Sequence, residues 1–195
     1  MSEGPTSDPT PRARPGGRSQ QVAERVLAAV TQVLIEAGYA ELSFRDISQM
    51  ANVSRTTLYR RWPSRADLAI DAITVAATDQ MTPPDTGNFA ADLSALLGKI
   101  ADFITSPLGV AALSASLEIG ASEPMARELF WKKRFGDLAP MFERAQARGE
   151  LPAQLDIEAA LAMLAGAIYF RVLVSASSVD EEWIQRIVTT FLAGA

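Results

Sequence analysis

At 195 residues, 48% of them hydrophobic, the chain is long enough for one good core or for a small domain beside a larger one. It contains no histidine and no cysteine, which excludes Ser-His-Asp triads, Cys-His pairs, disulfides and histidine-held metals; no catalytic group, cofactor or metal is expected. The net charge of −5 argues against a nucleic-acid partner until its distribution is read: nine arginines stand against four acidic residues between Arg12 and Arg65, whereas residues 66–195 hold nine basic and seventeen acidic side chains. No signal-peptide pattern opens the sequence, so the expected compartment is the cytoplasm.

Residues 1–17 hold four prolines and few apolar groups and are expected to form a disordered tail. Arg12, Arg14 and Arg18 have the chemistry of a minor-groove arm, but a solvated tail with incidental charge is the preferred reading. Ser19 is the predicted cap of a first helix. Val22, Val26, Val30, Val33 and Leu34 recur there at helical spacing, and Gly38 ends it.

Three helix starts follow in quick succession. Ser43, Ser54 and Ser64 come directly after Leu42, Val53 and Pro63, and each is followed four residues on by Ile47, Leu58 or Leu68. A serine oxygen accepts from the backbone N–H groups that a new helix leaves unpaired, and the flanking apolar pair can close over the turn. Only Ala51, Asn52 and Val53 separate the first two helices, the spacing of a helix-turn-helix. In the second helix, Arg55 to about Arg61, Leu58 and Trp62 are expected to face a small core with Phe44, Ile47 and Met50. Thr56, Thr57, Tyr59 and Arg60 then face outward, offering hydroxyls, a phenol and a guanidinium to phosphates and base edges. Arg45, Arg55 and Arg65 add charge around them, with Ser43, Ser54 and Arg65 nearer the phosphates. A merely solvated helix face is the weaker alternative, because caps, turn length and charge agree. A fourth helix, from Ser64 to about Gln80 with an apolar stripe at Leu68, Ala69, Ala72 and Val75, leads out of this unit.

The run GYAELSFRDISQMANVSRTTLYRRWPSRADL resembles the N-terminal domain of the TetR family of bacterial transcriptional regulators. The Gly38-Tyr39 helix end, the Ser43-to-Ile47 run and the run from Ser54 through Thr57, Leu58 and Tyr59 to Trp62, Pro63 and Ser64 carry the likeness. Trp62 stands where the family usually has Phe, and Arg65 where it usually has Lys. The resemblance covers about residues 20–70. It implies an all-α fold of about nine helices: a three-helix DNA-binding domain at 18–63 and a helical ligand-binding and dimerisation domain at 64–195. It also implies a recognition helix in the major groove of double-stranded operator DNA.

Beyond the fourth helix, residues 81–87 read as a loop. Asn88 is predicted to cap a helix to about Ser106, and Pro107 to open the next, to about Ile119. After a turn at Gly120–Glu123, Pro124 opens a helix to about Arg148, closed by Gly149. Asp156 and Asp180 cap the last two helices, about 157–176 and 181–193. Ala159 to Phe170 carries no charge, which argues for burial on all sides. Its alanine content, Arg171 and the serines after it argue against a membrane span. A homodimer is therefore expected through Leu161, Leu164, Ile168, Val172, Ile184, Ile187, Val188 and Phe191.

Phe103, Trp131, Phe135, Met141, Met163, Tyr169 and Phe170 either fill core or line a cavity. The family's habit of a cavity among these helices favours a pocket for a small apolar or amphipathic effector, with Glu118, Arg134 and Tyr169 as its polar groups. The lack of histidine argues against a metal-chelated ligand such as the family's namesake holds. The reading is thus a repressor released from an inverted repeat by a ligand. The alternative is an all-α small-molecule-binding protein, or a cofactor-free enzyme, with a vestigial helix-turn-helix.

Overall fold

The computed structural model describes residues 16–194, wound into nine α-helices with no strand among the described residues. The alternative of a minor-groove arm at Arg12 and Arg14, and residues 1–15 of the expected tail, lie outside the described residues, as does the side chain of Arg18; Gly16 and Gly17, also expected in the tail, are helical. Helix α1 (Gly16–Glu36) begins one turn earlier than expected, so Ser19 lies inside it and caps nothing. Extending an existing helix through two glycines costs only ~1 kcal/mol each, which the buried stripe of a long helix offsets. Gly38 closes it with φ +84, a conformation that suits glycine.

A 3₁₀ turn at Tyr39–Glu41 leads to α2 (Phe44–Met50) and α3 (Arg55–Arg61). Val26, Val30, Leu34, Ile47 and Leu58 are almost fully buried between α1, α2 and α3. Met50 is not part of this core. It is 47% exposed, and the smaller Ala51 closes that side. Helix α4 (Arg65–Gln80) then runs along α1. Its inner face passes through Leu68, Ala69, Ala72, Ile73 and Ala77, and Val75, expected in the stripe, points outward at 48% exposure.

Helices α5 (Phe89–Thr105), α6 (Pro107–Ser122), α7 (Pro124–Ala147), α8 (Ile157–Tyr169) and α9 (Glu181–Gly194) form the body, with α5 packed against the other four. Phe89 and Phe142 meet edge to face at 5.0 Å in its centre. Buried Asp92 fastens the loop before α5 by accepting from the Thr86 backbone N–H at 3.1 Å and the Thr86 hydroxyl at 2.7 Å. The bend of 79° between α5 and α6 is built on Ser106. Its hydroxyl donates to the Phe103 carbonyl (2.7 Å) and accepts from the Gly109 N–H (3.1 Å). Gly109 sits so close that a Cβ there would overlap the Phe103 carbonyl oxygen. Helix α6 also runs one turn past Ile119, through Gly120, to Ser122.

The penultimate helix stops at Tyr169 rather than near 176. Phe170–Val174 continue as a π turn and Ala176 takes φ +50. Arg171 fastens this end to α9, donating to the Ser178 carbonyl at 2.6 Å and lying 4.7 Å over the Trp183 ring. The stretch Ile157–Val174 is long and apolar enough, by length and composition, to cross a membrane, and only 22% of it is buried within the chain.

Most of the expected dimer residues face inward instead. Leu161, Leu164, Ile168, Ile184 and Val188 are at most 8% exposed, packed in the chain's own core. Val172, Ile187 and Phe191 are half-buried. The apolar groups left outside are Met163, Phe170, Leu173 and Val174. A helix apolar on every side does not announce which side turns inward.

Candidate nucleic-acid interface and interior cavity

The helix-turn-helix is held by local hydrogen bonds. Ser43 accepts from the Asp46 N–H and Ser54 from the Thr57 N–H, each at 3.2 Å. Ser64 and Asp67 form a reciprocal capping box, with both backbone-to-side-chain bonds at 3.0 Å. In the turn, Asn52 takes φ +52, which asparagine tolerates better than most residues. The Val53 N–H donates to the Ser48 carbonyl (3.0 Å) and the Ser48 hydroxyl donates to the Val53 carbonyl (2.7 Å). The Trp62 indole N–H reaches Asp71 on α4 at 2.9 Å, joining the end of α3 to the helix that leaves the unit.

With Leu58 and Trp62 inward, Arg55, Thr56, Tyr59 and Arg60 are left exposed and Thr57 half-buried. Tyr59 is stacked on Phe44 with centroids 4.3 Å apart, so the phenol is aimed rather than free. The Thr57 hydroxyl lies 2.9 Å from the Ser54 Oγ and is partly engaged in the cap. Arg65 is also engaged: it donates to the Ala40 carbonyl at 3.0 Å and lies 4.3 Å over the Tyr39 ring. Arg45, Ser48, Gln49 and Arg55 line a polar hollow between α2 and α3. Ser48 and Gln49 were not among the expected contacts. Gln49 stands four residues after Arg45, so it shares a helix face with it, a spacing that would have found it.

The body holds a cavity of about 50 Å³ bounded by α4, α5, α6, α7 and α8. Of the expected ligand residues, Phe103, Trp131, Arg134, Phe135 and Tyr169 line it. Four do not. Glu118 is exposed on the outer side of α6, and Met141 is packed into the core at 1% exposure. Met163 and Phe170 lie outside, 70% and 61% exposed. Sequence reasoning missed Phe130 and Leu138 on α7, Ser116 on α6, and Ile73, Ala77 and Met81 along α4. The α7 pair was findable, since 130, 131, 134, 135 and 138 fall on one helical face.

Trp131 is the centre of an aromatic cluster, with centroids 5.2 Å from Phe130, 6.0 Å from Phe135 and 6.4 Å from Tyr169. Arg134 is 6% exposed, and its Nη2 has no hydrogen-bond partner among the described residues. Burial pulls the guanidinium below its ordinary pKa, against the opposing pull of Asp137 and Tyr169. Burial also pushes the Tyr169 phenol up, with Arg134 opposing. Helix α4 joins the cavity to the capped unit, with Ile73 and Ala77 on the cavity wall; at its start the Ser64 hydroxyl, which donates to Asp67 at 2.9 Å, also lies 3.3 Å from a Glu123 carboxylate oxygen at the α6–α7 junction.

Comparison with known proteins agrees over most of the chain. Residues 26–72 match the family described as bacterial regulatory proteins, tetR family. Residues 83–191 match the tetracyclin repressor-like C-terminal domain. The uncharacterized HTH-type transcriptional regulator YdeS of Bacillus subtilis is 29% identical over 94% of this chain and 93% of its own. The HTH-type transcriptional regulator AqdR of Rhodococcus erythropolis is 28% identical over 91% and 86%. The crystal structure of the TetR family transcription regulator SCO0332 superposes with a TM-score of 0.76 at 31% identity, covering 90% of this chain and 98% of that one. With the all-helical fold and the capped helix-turn-helix, these likenesses place the chain in the TetR family of DNA-binding transcriptional regulators rather than among enzymes.

Proposed function

We propose that the protein is a cytoplasmic repressor that binds an inverted-repeat operator as a homodimer and is released by a small ligand in the body's cavity. Residues 18–63 bind the DNA, and residues 64–195 receive the ligand and dimerise. The observation that carries the reading is the outward row Arg45, Arg55, Thr56, Tyr59 and Arg60 on two short helices locked by serine caps. A rigid pair of helices with donors on its free side suits the major groove. Thr57, Ser43, Ser54 and the free N–H groups of Arg65 complete the contact set.

The apolar face of Met163, Phe170, Leu173 and Val174, continued by half-buried Ile187 and Phe191, supports a two-fold dimer through the last two helices. Such a dimer sets its recognition helices ~34–36 Å or a multiple apart. It also accounts for the apolar length of Ile157–Val174 without a bilayer. Phe170→Glu with Leu173→Glu is expected to give monomers that lose operator binding in sedimentation and binding assays. A stable monomer of the unaltered chain at micromolar concentration contradicts the dimer.

Binding is tested on DNA upstream of the protein's own gene. Arg60→Ala should weaken the cognate site by about 1–3 kcal/mol while leaving nonspecific DNA little affected. Normal binding by both Tyr59→Ala and Arg60→Ala rules out this face. Ligand entry must widen a cavity of about 50 Å³, one wall of which is Ile73 and Ala77 of α4 with Met81 at its C-cap, and the capped start of that helix sits at the DNA-binding unit. A coupling of ~1–3 kcal/mol lowers operator affinity about 5–150-fold, and operator must weaken ligand binding by the same factor.

A further inference from the structure

The apolar walls of the cavity leave one group unaccounted for. The Arg134 side chain is buried among aromatic and aliphatic groups, lines the cavity, and its Nη2 has no hydrogen-bond partner among the described residues. A guanidinium does not shed its proton at physiological pH, so it stays charged there. A buried, unpaired charge is destabilising, and residues that served only to fill the core would be better replaced by a thioether or a leucine. No carboxylate forms an ion pair with Arg134 among the described residues. The ion pairs there join Arg144 to Asp85, Arg148 to Glu150 and Arg186 to Glu182.

We infer that the cavity receives an amphipathic organic anion: a molecule with an aromatic or long aliphatic body and one carboxylate, which pairs with Arg134. The inference rests on the reading of the cavity as the ligand site and adds the chemistry of the ligand. The planar fork of Arg134 matches a carboxylate through two parallel hydrogen bonds, which a neutral carbonyl or hydroxyl cannot reproduce. The Tyr169 phenol lines the same space and, kept protonated by its surroundings, can donate to the anion. Trp131, Phe135 and Phe103 provide faces and edges for the apolar body. A dianion or a phosphate suits the site poorly. It offers one guanidinium and no second cation among its lining residues.

The test compares matched pairs of probes on the full chain by calorimetry: 1-naphthoate against 1-naphthylmethanol, and decanoate against 1-decanol. Within at least one pair the acid should bind tenfold or more tightly than the alcohol. Arg134→Met should abolish or reverse that preference, and Arg134→Lys, which keeps charge without the fork, should retain part of it. Acid and alcohol binding equally, no acid binding at millimolar concentration, or a preference that survives Arg134→Met would each overturn the inference. If Arg134→Met does not fold, the comparison on the unaltered chain and on Arg134→Lys still decides. Operator release by the same probes is scored separately. An acid that binds through Arg134 yet leaves the operator complex intact upholds the anion site and refutes the cavity as the switch. Release by the alcohols as readily as by the acids does the reverse.

Discussion

The two ends of α4 lie in regions that treat polar groups in opposite ways. At its start, Ser64 and Asp67 satisfy each other's backbone and side chain, and the neighbouring cap serines Ser43 and Ser54 each accept from a backbone N–H. Towards its end, Ile73, Ala77 and Met81 border a cavity in which a guanidinium nitrogen has no partner among the described residues. The first region is finished before any partner arrives, so it presents DNA with a fixed surface and loses little conformational entropy on binding. The second is unfinished, so its geometry depends on what enters. A switch needs both: a rigid reader and a soft sensor, joined by one helix.

The largest expected effect tests the rigid side. Leu58→Ala removes a fully buried side chain and should cost about 2–5 kcal/mol in urea unfolding. The corresponding truncation at half-buried Leu113, on the cavity wall, should cost clearly less. Equal losses would erase the distinction between the two regions. The next test runs in the opposite direction. Arg134→Met should raise stability by on the order of 1–3 kcal/mol, because an unsatisfied buried charge is replaced by an apolar chain of similar length. A loss of stability in the same unfolding assay would mean that the guanidinium is satisfied.

Smaller effects sharpen the joint between the regions. Ser64→Ala removes the cap of α4 and should cost about 1 kcal/mol. Glu123→Ala should change stability by less than about 0.5 kcal/mol, yet it breaks the Ser64 contact across to the α6–α7 junction. Its mark should be a weaker effect of ligand on operator affinity, and unchanged coupling would remove this contact from the path. The smallest effect is at Glu150, which accepts from the Phe89 N–H at 3.1 Å at the start of α5. That bond, with Arg148, holds the carboxyl below its ordinary value of 4.5. A carboxylate with a depressed folded-state pKa contributes stability that is present above the unfolded value and lost as pH falls through the folded one. Glu150→Ala should therefore be less stable than the parent at neutral pH, and melts should converge below the usual carboxylate range.

What could be read in advance follows from how far each feature reaches along the chain. Caps are local: Ser43, Ser54, Ser64, Asn88 and Asp156 all accept from the N–H three residues on, as their spacing indicated. The outward row on α3 is equally legible, because Leu58 and Trp62 leave only one side free. Ser19 misled because a serine is also tolerated inside a helix that has another start. The body was less legible because its apolar helices differ little around their circumference. Leu161 and Met163 are both apolar, two residues apart, and only assembly of α5, α8 and α9 puts one at 4% exposure and the other at 70%. Arg134 and Glu118 were expected alike as polar groups of the pocket, and the fold buries the first and leaves the second on the outside of α6. Nothing local distinguishes the two.

The elbow at Ser106 has a consequence for anyone breeding this protein toward new ligands. Gly109 admits no side chain against the Phe103 carbonyl, so every substitution there must prise α5 from α6 and distort the scaffold around the cavity. Leu113 and Ser116, one and two turns further along α6, border the cavity and carry no such constraint. A saturation library across α6 should therefore separate into an intolerant position that sets the frame and permissive ones that set the taste. New specificities are to be sought at the second kind, with the angle between the two helices inherited unchanged.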